Sequence, residues 1–223
     1  TRATRVILGG RRSTGMQRKT TAAVALAVLV ALAGCGALTG DLSFSASPAT
    51  VGDATLADTG YEEASVSEDE VTREFSAAGQ SRNVTVTNHV AMYERSVDVP
   101  VVVEQRAAVF GAFASPEVSV LGQSFNPIDD YDNRELAALA QDQYSGLSVG
   151  EETGTRSVAV LGESANVTTF DGEASIGGTS VDVYVHVTKV KHDGDFVVAV
   201  AIYPQALDGE RETVDDLLAG LQH

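Results

Sequence analysis

The chain has 223 residues, with 31 acidic side chains against 15 basic ones, one cysteine and no tryptophan, and its formal net charge is −16. This acidity argues against nucleic-acid binding, because phosphates are repelled, and a single cysteine excludes an internal disulfide or a cysteine-rich zinc site. Since 43% of the residues are hydrophobic, the composition is that of a folded chain, and the length suits one domain.

The first 34 residues differ in charge from the rest. They hold six basic side chains and no acidic one, so the remainder holds nine basic and 31 acidic residues, a net charge of −22. Residues 1–15 contain neither a methionine nor a hydrophobic pattern. We therefore predict that they are an upstream extension outside the fold, and that the protein starts at Met16.

Residues 16–34 have the pattern of a signal peptide. Two basic residues precede an apolar run, 22–33, of 12 residues, which is shorter than the ~20 that a transmembrane helix needs. The run ends in Leu32-Ala33-Gly34-Cys35, which resembles the lipobox of prokaryotic lipoproteins. The resemblance implies that Cys35 becomes the lipid-bearing first residue of the mature protein. The alternative is an uncleaved N-terminal anchor, and the sequence leaves open the export route, general secretory or twin-arginine.

Strand signals dominate the remainder of the chain. Residues 35–41 are predicted as the lipidated cysteine and a flexible tether, and 42–223 as a single α+β domain. Alternating apolar residues predict strands at 42–46, 84–92 and 181–188, the last of them half-buried and antiparallel. Asp193-Gly194 is a typical hairpin turn, and the apolar run 196–203 predicts a central strand.

Two main helices are predicted. Asp132 and Glu135 have the spacing of a capping box, which predicts a helix that ends near Gly146. Near the C-terminus, Asp208 is a candidate N-cap for a helix whose apolar stripe contains Val214, Leu217, Leu218 and Leu221.

These elements predict an antiparallel sheet of about six to nine strands with two main helices packed on it, and the order is analogous to a PsbP-like α-β-α sandwich. Residues 72–85 and 155–168 also share a Thr-Arg, a Gly and an Asn-Val-Thr at equal spacings. This similarity suggests two tandem hairpin-plus-helix repeats, 71–145 and 154–222. The alternative is that two hairpins with glycine turns resemble each other by convergence.

Candidate sites are few. The acidic segment 129–132 could hold calcium, but it lacks the glycine and the distal glutamate of an EF-hand loop, so a solvated helix entry is the simpler interpretation. The four histidines, His89, His186, His192 and His223, show no metal-binding spacing, and no nucleophile or phosphate-binding motif occurs. We therefore predict no catalytic residue, metal or cofactor. Asn83 and Asn166 begin Asn-X-Thr sequons and are candidates for N-glycosylation.

The chain also resembles a family of uncharacterised haloarchaeal lipoproteins, whose domain has no known function. The resemblance rests on the leader and on segments along the mature chain: Phe44-Ser45-Ala46-Ser47-Pro48-Ala49, Gly60-Tyr61-Glu62-Glu63, Val71-Thr72-Arg73-Glu74-Phe75, Tyr93-Glu94-Arg95-Ser96, Ser119-Val120-Leu121-Gly122-Gln123-Ser124-Phe125-Asn126-Pro127 and Phe196-Val197-Val198-Ala199-Val200. It implies a cell-surface, lipid-anchored protein of a halophile and carries no activity.

Three functions are compatible with the sequence. The first is a binding or interaction module that is anchored by lipid on Cys35 at the extracytoplasmic face of the cell membrane, with an unknown protein or small molecule as partner. The second is a structural protein of the envelope, and the third is an extracytoplasmic hydrolase with a dispersed site. The acid excess and the presence of only two lysines after residue 35 favour folding in concentrated salt, which screens the self-repulsion of the chain.

Overall fold

A computed structural model describes residues 41–77, 80–99, 102–120, 123–124, 126–176 and 178–223. Leu42–Phe75 and Asn83–His223 form one compact unit, and Thr1–Asp41 and Ser76–Arg82 are grouped in a second. Of the second unit, the structure describes Asp41 and the ends of two strands. All helices of the described residues lie in the first unit.

The first unit is built mainly from strands. They are β1 (Leu42–Ser45), β2 (Thr50–Val51), β3 (Glu62–Ala77), β4 (Gln80–Val99), β5 (Val102–Pro116), β6 (Ser119–Val120), β7 (Gln123–Ser124), β8 (Leu147–Val160), β9 (Glu163–Ile176), β10 (Thr179–His192), β11 (Asp195–Pro204) and β12 (Leu221–Gln222). The helices are α1 (Asp53–Thr59), α2 (Asn133–Gln143) and α3 (Glu210–Ala219), with a short 3-10 helix at Pro127–Asp129. The broad α+β class predicted from the sequence is confirmed.

Eight strands form one open sheet, within the predicted range of six to nine. Its order is β1-β4-β5-β11-β10-β9-β8, with β3 paired to β4 beside this path. β2 pairs with β12, and β6 pairs with β7, in two small separate ladders.

The prediction of a purely antiparallel sheet is wrong, because the sheet is mixed. β1 runs parallel to β4 and lies beside residues 84–87, whereas β5 pairs with β4 only from His89 onward. β1 therefore occupies a stretch of β4 that β5 does not reach. The connection from β1 to β4 contains β2, α1 and β3, and is long enough for the crossover that a parallel pair requires.

The sheet separates two hydrophobic cores. On one face, α3 contributes Val214 and Leu217 to a core that also contains Tyr93 and Phe110, with Leu56 of α1 packed against it. On the other face, α2 contributes Leu136 to a core that contains, among other residues, Phe170, Val183, Val185 and Phe196. Helices thus cover both faces. Kinship with PsbP-like proteins stays a prediction.

The helix caps follow the sequence in one case and depart from it in another. Asp132 caps α2 by accepting a hydrogen bond from the Glu135 N–H, and the Glu135 side chain accepts from the Asp132 N–H, so the predicted capping box is present. The N-cap of α3 is Gly209, with φ of 79° and no side-chain cap. The prediction of Asp208 as the cap is therefore wrong. None of the helices in the described ranges is long and apolar enough to cross a bilayer.

β10 is more buried than its alternating sequence predicts. The side chains of His186 and Thr188 were expected on a polar, solvated face, but these residues are only 2% and 1% exposed. Val214 and Leu218 of α3 line the same small gap as these two residues. A covering helix therefore buries polar residues that the strand pattern alone places in water.

The tandem duplication stays a prediction. The two Asn-Val-Thr triplets lie on β4 and β9, each the second strand of a hairpin. The chain also repeats Ser-Val-Asp-Val at 96–99 and 180–183. These two segments do not correspond in the same way, because 96–99 continues β4, whereas 180–183 lies on the next strand, β10.

Candidate functional site

A surface pocket of about 180 Å³ lies where α1 ends and β3 begins beside β4. We call it the Arg95 pocket, and its lining consists of Gly60, Glu62, Glu63, Ala64, Glu94, Arg95 and Ser96. Gly60 has φ of 71°, in the left-handed region that glycine tolerates best. This turn brings the end of α1 directly into β3 and so positions the two adjacent glutamates at the rim.

Arg95 is held by a buried carboxylate. Its guanidinium pairs through Nη2 with Oε2 of Glu210, whose side chain is 1% exposed. The Tyr61 hydroxyl donates to the other oxygen of Glu210 at 2.7 Å, and the guanidinium lies 5.6 Å from the centre of the Tyr61 ring. Arg95 itself stays 29% exposed. It therefore connects the buried side chains of Glu210 and Tyr61 to the pocket.

Burial controls the ionisation of the tyrosines at this site. It raises the pKa of Tyr61, against the opposing effect of the Arg95 charge, and it also raises the pKa of Tyr93. Both phenols are therefore neutral at neutral pH. Each acts as a fixed hydroxyl: the Tyr61 hydroxyl bonds to Glu210, and the Tyr93 hydroxyl accepts from the Val51 N–H at 2.8 Å.

The electrostatics of the Arg95 pocket favour a positive ligand. The charge of Arg95 is matched by Glu210, and Glu62 and Glu63 add two further carboxylates to the lining. Opposite charge lowers the free energy of a bound cation, most of all where solvent access is restricted.

A second polar group is buried under α3. His186 Nδ1 lies 2.8 Å from the Thr169 hydroxyl and 3.0 Å from Nη1 of Arg156, and its Nε2 lies 2.9 Å from the Tyr203 hydroxyl. Arg156 in turn donates to Asp215 of α3 at 2.6 and 2.9 Å. The network therefore ties the helix to the sheet.

This network has the composition of an acid–base site but no room for a substrate. Burial, with the nearby Arg156 charge, lowers the pKa of His186 to about 3. The gap beside it is too small for a water molecule, and His186 itself is buried. A neutral, enclosed imidazole that both donates and accepts is a structural cross-link.

Two histidines that are far apart in sequence meet at the tip of the β10–β11 hairpin. Nδ1 of His192 lies 3.1 Å from Nδ1 of His223, and the Nε2 of His223 lies 3.1 Å from Oδ2 of Asp195. The type I′ turn between the strands has Asp193 and Gly194 at positive φ, 48° and 91°, as the sequence predicted. Sequence reasoning missed the histidine pair because no local spacing connects residues 192 and 223.

The two sequons differ in their surroundings. Asn83 and Asn166 both have exposed side chains on strands. The hydroxyl of Thr168, in the second sequon, accepts from Nδ2 of Asn133 at 3.0 Å and belongs to a residue only 7% exposed. The hydroxyl of Thr85, in the first, lies in an exposed contact with Thr72 at 3.0 Å.

The acidic segment 129–132 lies against a cation that the protein itself supplies. Nζ of Lys189 donates to the backbone carbonyls of Ile128, Asp129 and Tyr131 at 2.8, 2.9 and 2.7 Å. Lys189 therefore binds the carbonyl groups at the helix entry that a calcium ion would need as ligands.

The predicted lipid site cannot be placed. Cys35 and the preceding residues Leu32, Ala33 and Gly34 lie outside the described residues, as do the predicted signal peptide and the extension 1–15.

A family model described as a domain of unknown function, DUF6517, matches residues 48–222. The chain belongs to this family. The DUF6517 domain contains the whole Arg95 pocket and the His186 network, and His223 lies one residue beyond the match. No curated protein matches the chain.

Proposed function

We propose that this DUF6517 protein is a lipid-anchored lipoprotein on the extracytoplasmic face of the cell membrane of a halophile, where its domain acts as a binding module. The observation that carries the proposal is the position of the lipobox. Cys35 follows an apolar run of signal-peptide length and lies 13 residues before the family domain starts at residue 48. This is the arrangement expected of a folded domain tethered to a membrane by its first residue.

The Arg95 pocket is the proposed binding site, and its charge selects the ligand class. A solute with one or more ammonium groups matches the carboxylates of the rim. The pocket has a volume of about 180 Å³, which is smaller than that of a typical drug-binding cavity. It therefore suits a small solute. The buried Glu210 keeps Arg95 in place without contributing charge to the rim.

Lipid anchoring is tested by Cys35→Ser in a halophilic host. We expect the variant to accumulate as an unprocessed precursor or to appear in the medium, because the thiol that carries the lipid is absent. Ala37→Ser is the matched control and should fractionate with membranes like the original chain. A processed Cys35→Ser protein that stays in the membrane fraction would refute the anchor.

Ligand binding is tested by isothermal titration of small mono- and diammonium compounds at constant high ionic strength. The variant Glu62→Gln/Glu63→Gln removes two rim charges, and Glu68→Gln/Asp69→Asn removes two charges elsewhere on β3. We expect weaker binding in the first variant and unchanged binding in the second. Equal losses in both would show that the overall acidity of the surface, and not the pocket, attracts the ligand.

Adaptation to salt is a separate part of the proposal. The residues after 34 carry a net charge of −22, and their acidic side chains repel one another strongly at low ionic strength. We expect the domain to lose stability when potassium chloride is diluted and to recover it when the salt is restored. Circular dichroism during a salt titration measures this, and stability that does not change with salt would contradict it.

A further inference from the structure

We infer that His192 and His223 form a binding site for a divalent transition-metal ion of the nickel, copper or zinc class. The inference is independent of the proposed ligand of the Arg95 pocket. Its basis is the convergence of two ring nitrogens: Nδ1 of His192 and Nδ1 of His223 are 3.1 Å apart, and the rings are 5.3 Å apart at 75° to each other.

This separation fits two ligands of one ion. Imidazole nitrogens lie about 2.0–2.1 Å from such a metal, and ligand angles between about 90° and 110° place two of them roughly 2.9–3.4 Å apart. The observed 3.1 Å falls inside this range. Imidazole is also the side chain that nickel, copper and zinc share as a preferred ligand.

A carboxylate near His223 favours the tautomer that metal binding needs. Oδ2 of Asp195 lies 3.1 Å from Nε2 of His223, and the two side chains are only 12% and 2% exposed. The Ser47 N–H donates to the same oxygen at 2.8 Å and fixes the carboxylate. The pair does not have hydrogen-bond geometry, but the negative charge 3.1 Å from Nε2 favours the tautomer with its proton there, which leaves the lone pair of Nδ1 free for a metal.

The mouth of the site is open to solvent. The side chain of His192 is 26% exposed, and the Asp193 carboxylate, 83% exposed on the turn, lies 3.8 Å from Nδ1 of His192. Across the described ranges, no group of three or more His, Cys, Asp or Glu side chains is placed to hold a metal ion. The two histidines are therefore the protein ligands, and water completes the coordination.

Proton balance accompanies binding. Without metal, one of the two Nδ1 atoms carries the proton that lies between them. For both Nδ1 atoms to bind the ion, that ring must change tautomer, its proton passing from Nδ1 to Nε2.

The probe is nickel chloride, titrated into the full mature chain prepared without a polyhistidine tag, in buffered sodium chloride. We expect saturable binding of one ion per chain. His192→Gln, a change at the more exposed partner, should weaken binding by about tenfold or more. His89→Gln replaces a histidine outside the pair and should bind like the original chain.

A second measurement identifies the atoms. Two-bond ¹H–¹⁵N spectra of the histidine rings should show zinc perturbing Nδ1 of His192 and of His223, and leaving the rings of His89 and His186 unchanged. Absence of saturable nickel binding would overturn the inference and leave a His–His hydrogen bond only. Equal affinity in His192→Gln, or competition by calcium, would overturn it by placing the ion on the acidic surface.

Discussion

The ion pair between Arg95 and Glu210 gives the sharpest prediction for stability. Arg95→Met removes the guanidinium but keeps much of its apolar stem, and leaves the 1%-exposed Glu210 side chain bonded to the Tyr61 hydroxyl without its counter-charge. Removing one member of a buried pair costs about 3–5 kcal/mol. Because Arg95 is 29% exposed, water can partly replace it, and we expect the lower end, about 3 kcal/mol.

A loss of this size lowers the Tm by about 6–12 °C for a domain of this length. Urea unfolding at constant high salt, followed by circular dichroism, measures the free energy directly. Arg95→Met/Glu210→Gln should recover much of the loss, since a neutral amide still accepts from Tyr61 and needs no counter-charge. A double-mutant cycle with Glu210→Gln should give a coupling of about 2 kcal/mol.

The control is Arg134→Met. It removes an arginine that lies over the Phe170 ring, 4.8 Å from its centre, and whose guanidinium donates to the backbone carbonyl of Gly150. We expect a loss of about 1 kcal/mol or less from this exposed cation–π contact. If Arg95→Met costs no more than Arg134→Met, or if the cycle shows no coupling, Glu210 is solvated and the reasoning from burial is wrong.

Three further predictions concern other residues. The pKa of His186 is about 3 in the fold against about 6.5 in the unfolded chain. Between these two pH values only the unfolded chain binds a proton at this histidine. The contribution of His186 to the free energy of unfolding is therefore complete above about pH 6.5 and falls by about 1.4 kcal/mol per pH unit below it. His186→Gln should flatten this slope in acid unfolding curves, and an unchanged slope would contradict the burial effect. Asp132→Ala should cost about 1 kcal/mol in urea unfolding and Asp132→Ser much less; equal losses would argue against the cap. Intact-mass measurement should show a glycan removed by Asn83→Gln and none removed by Asn166→Gln, because the Thr168 hydroxyl is bonded and buried; a glycan at Asn166 would show that modification precedes folding.

Local signals predicted much of the fold. The capping box at Asp132, the Asp193-Gly194 turn and the apolar run of β11 were each readable from a few neighbouring residues, and each is present. Turn and cap chemistry acts over three or four residues, so the sequence displays it directly.

The failures come from contacts between distant residues. The parallel pairing of β1 with β4 spans about 40 positions, and no local pattern indicates it. In the sequence, Glu210 looks like an acidic residue that favours the dipole of a helix start, yet its partners Tyr61 and Arg95 lie 149 and 115 positions away. For the same reason, the sequence shows no relation between His192 and His223, which meet at the β10–β11 turn. The candidate sites therefore depend on which distant strands and helices meet in the fold. A single sequence gives little information about those contacts.

Lys189 has a practical consequence for chemical modification. The chain after residue 35 contains two lysines, and Lys189 uses its ammonium to bind three carbonyls. Lys191 is 48% exposed and pairs across the surface with Glu117, and its ammonium lies 5.3 Å from the centre of the Phe196 ring. An amine-reactive reagent should therefore acylate Lys191 first. The domain thus offers one preferred side-chain amine for attaching a fluorophore or a solid support in a defined orientation.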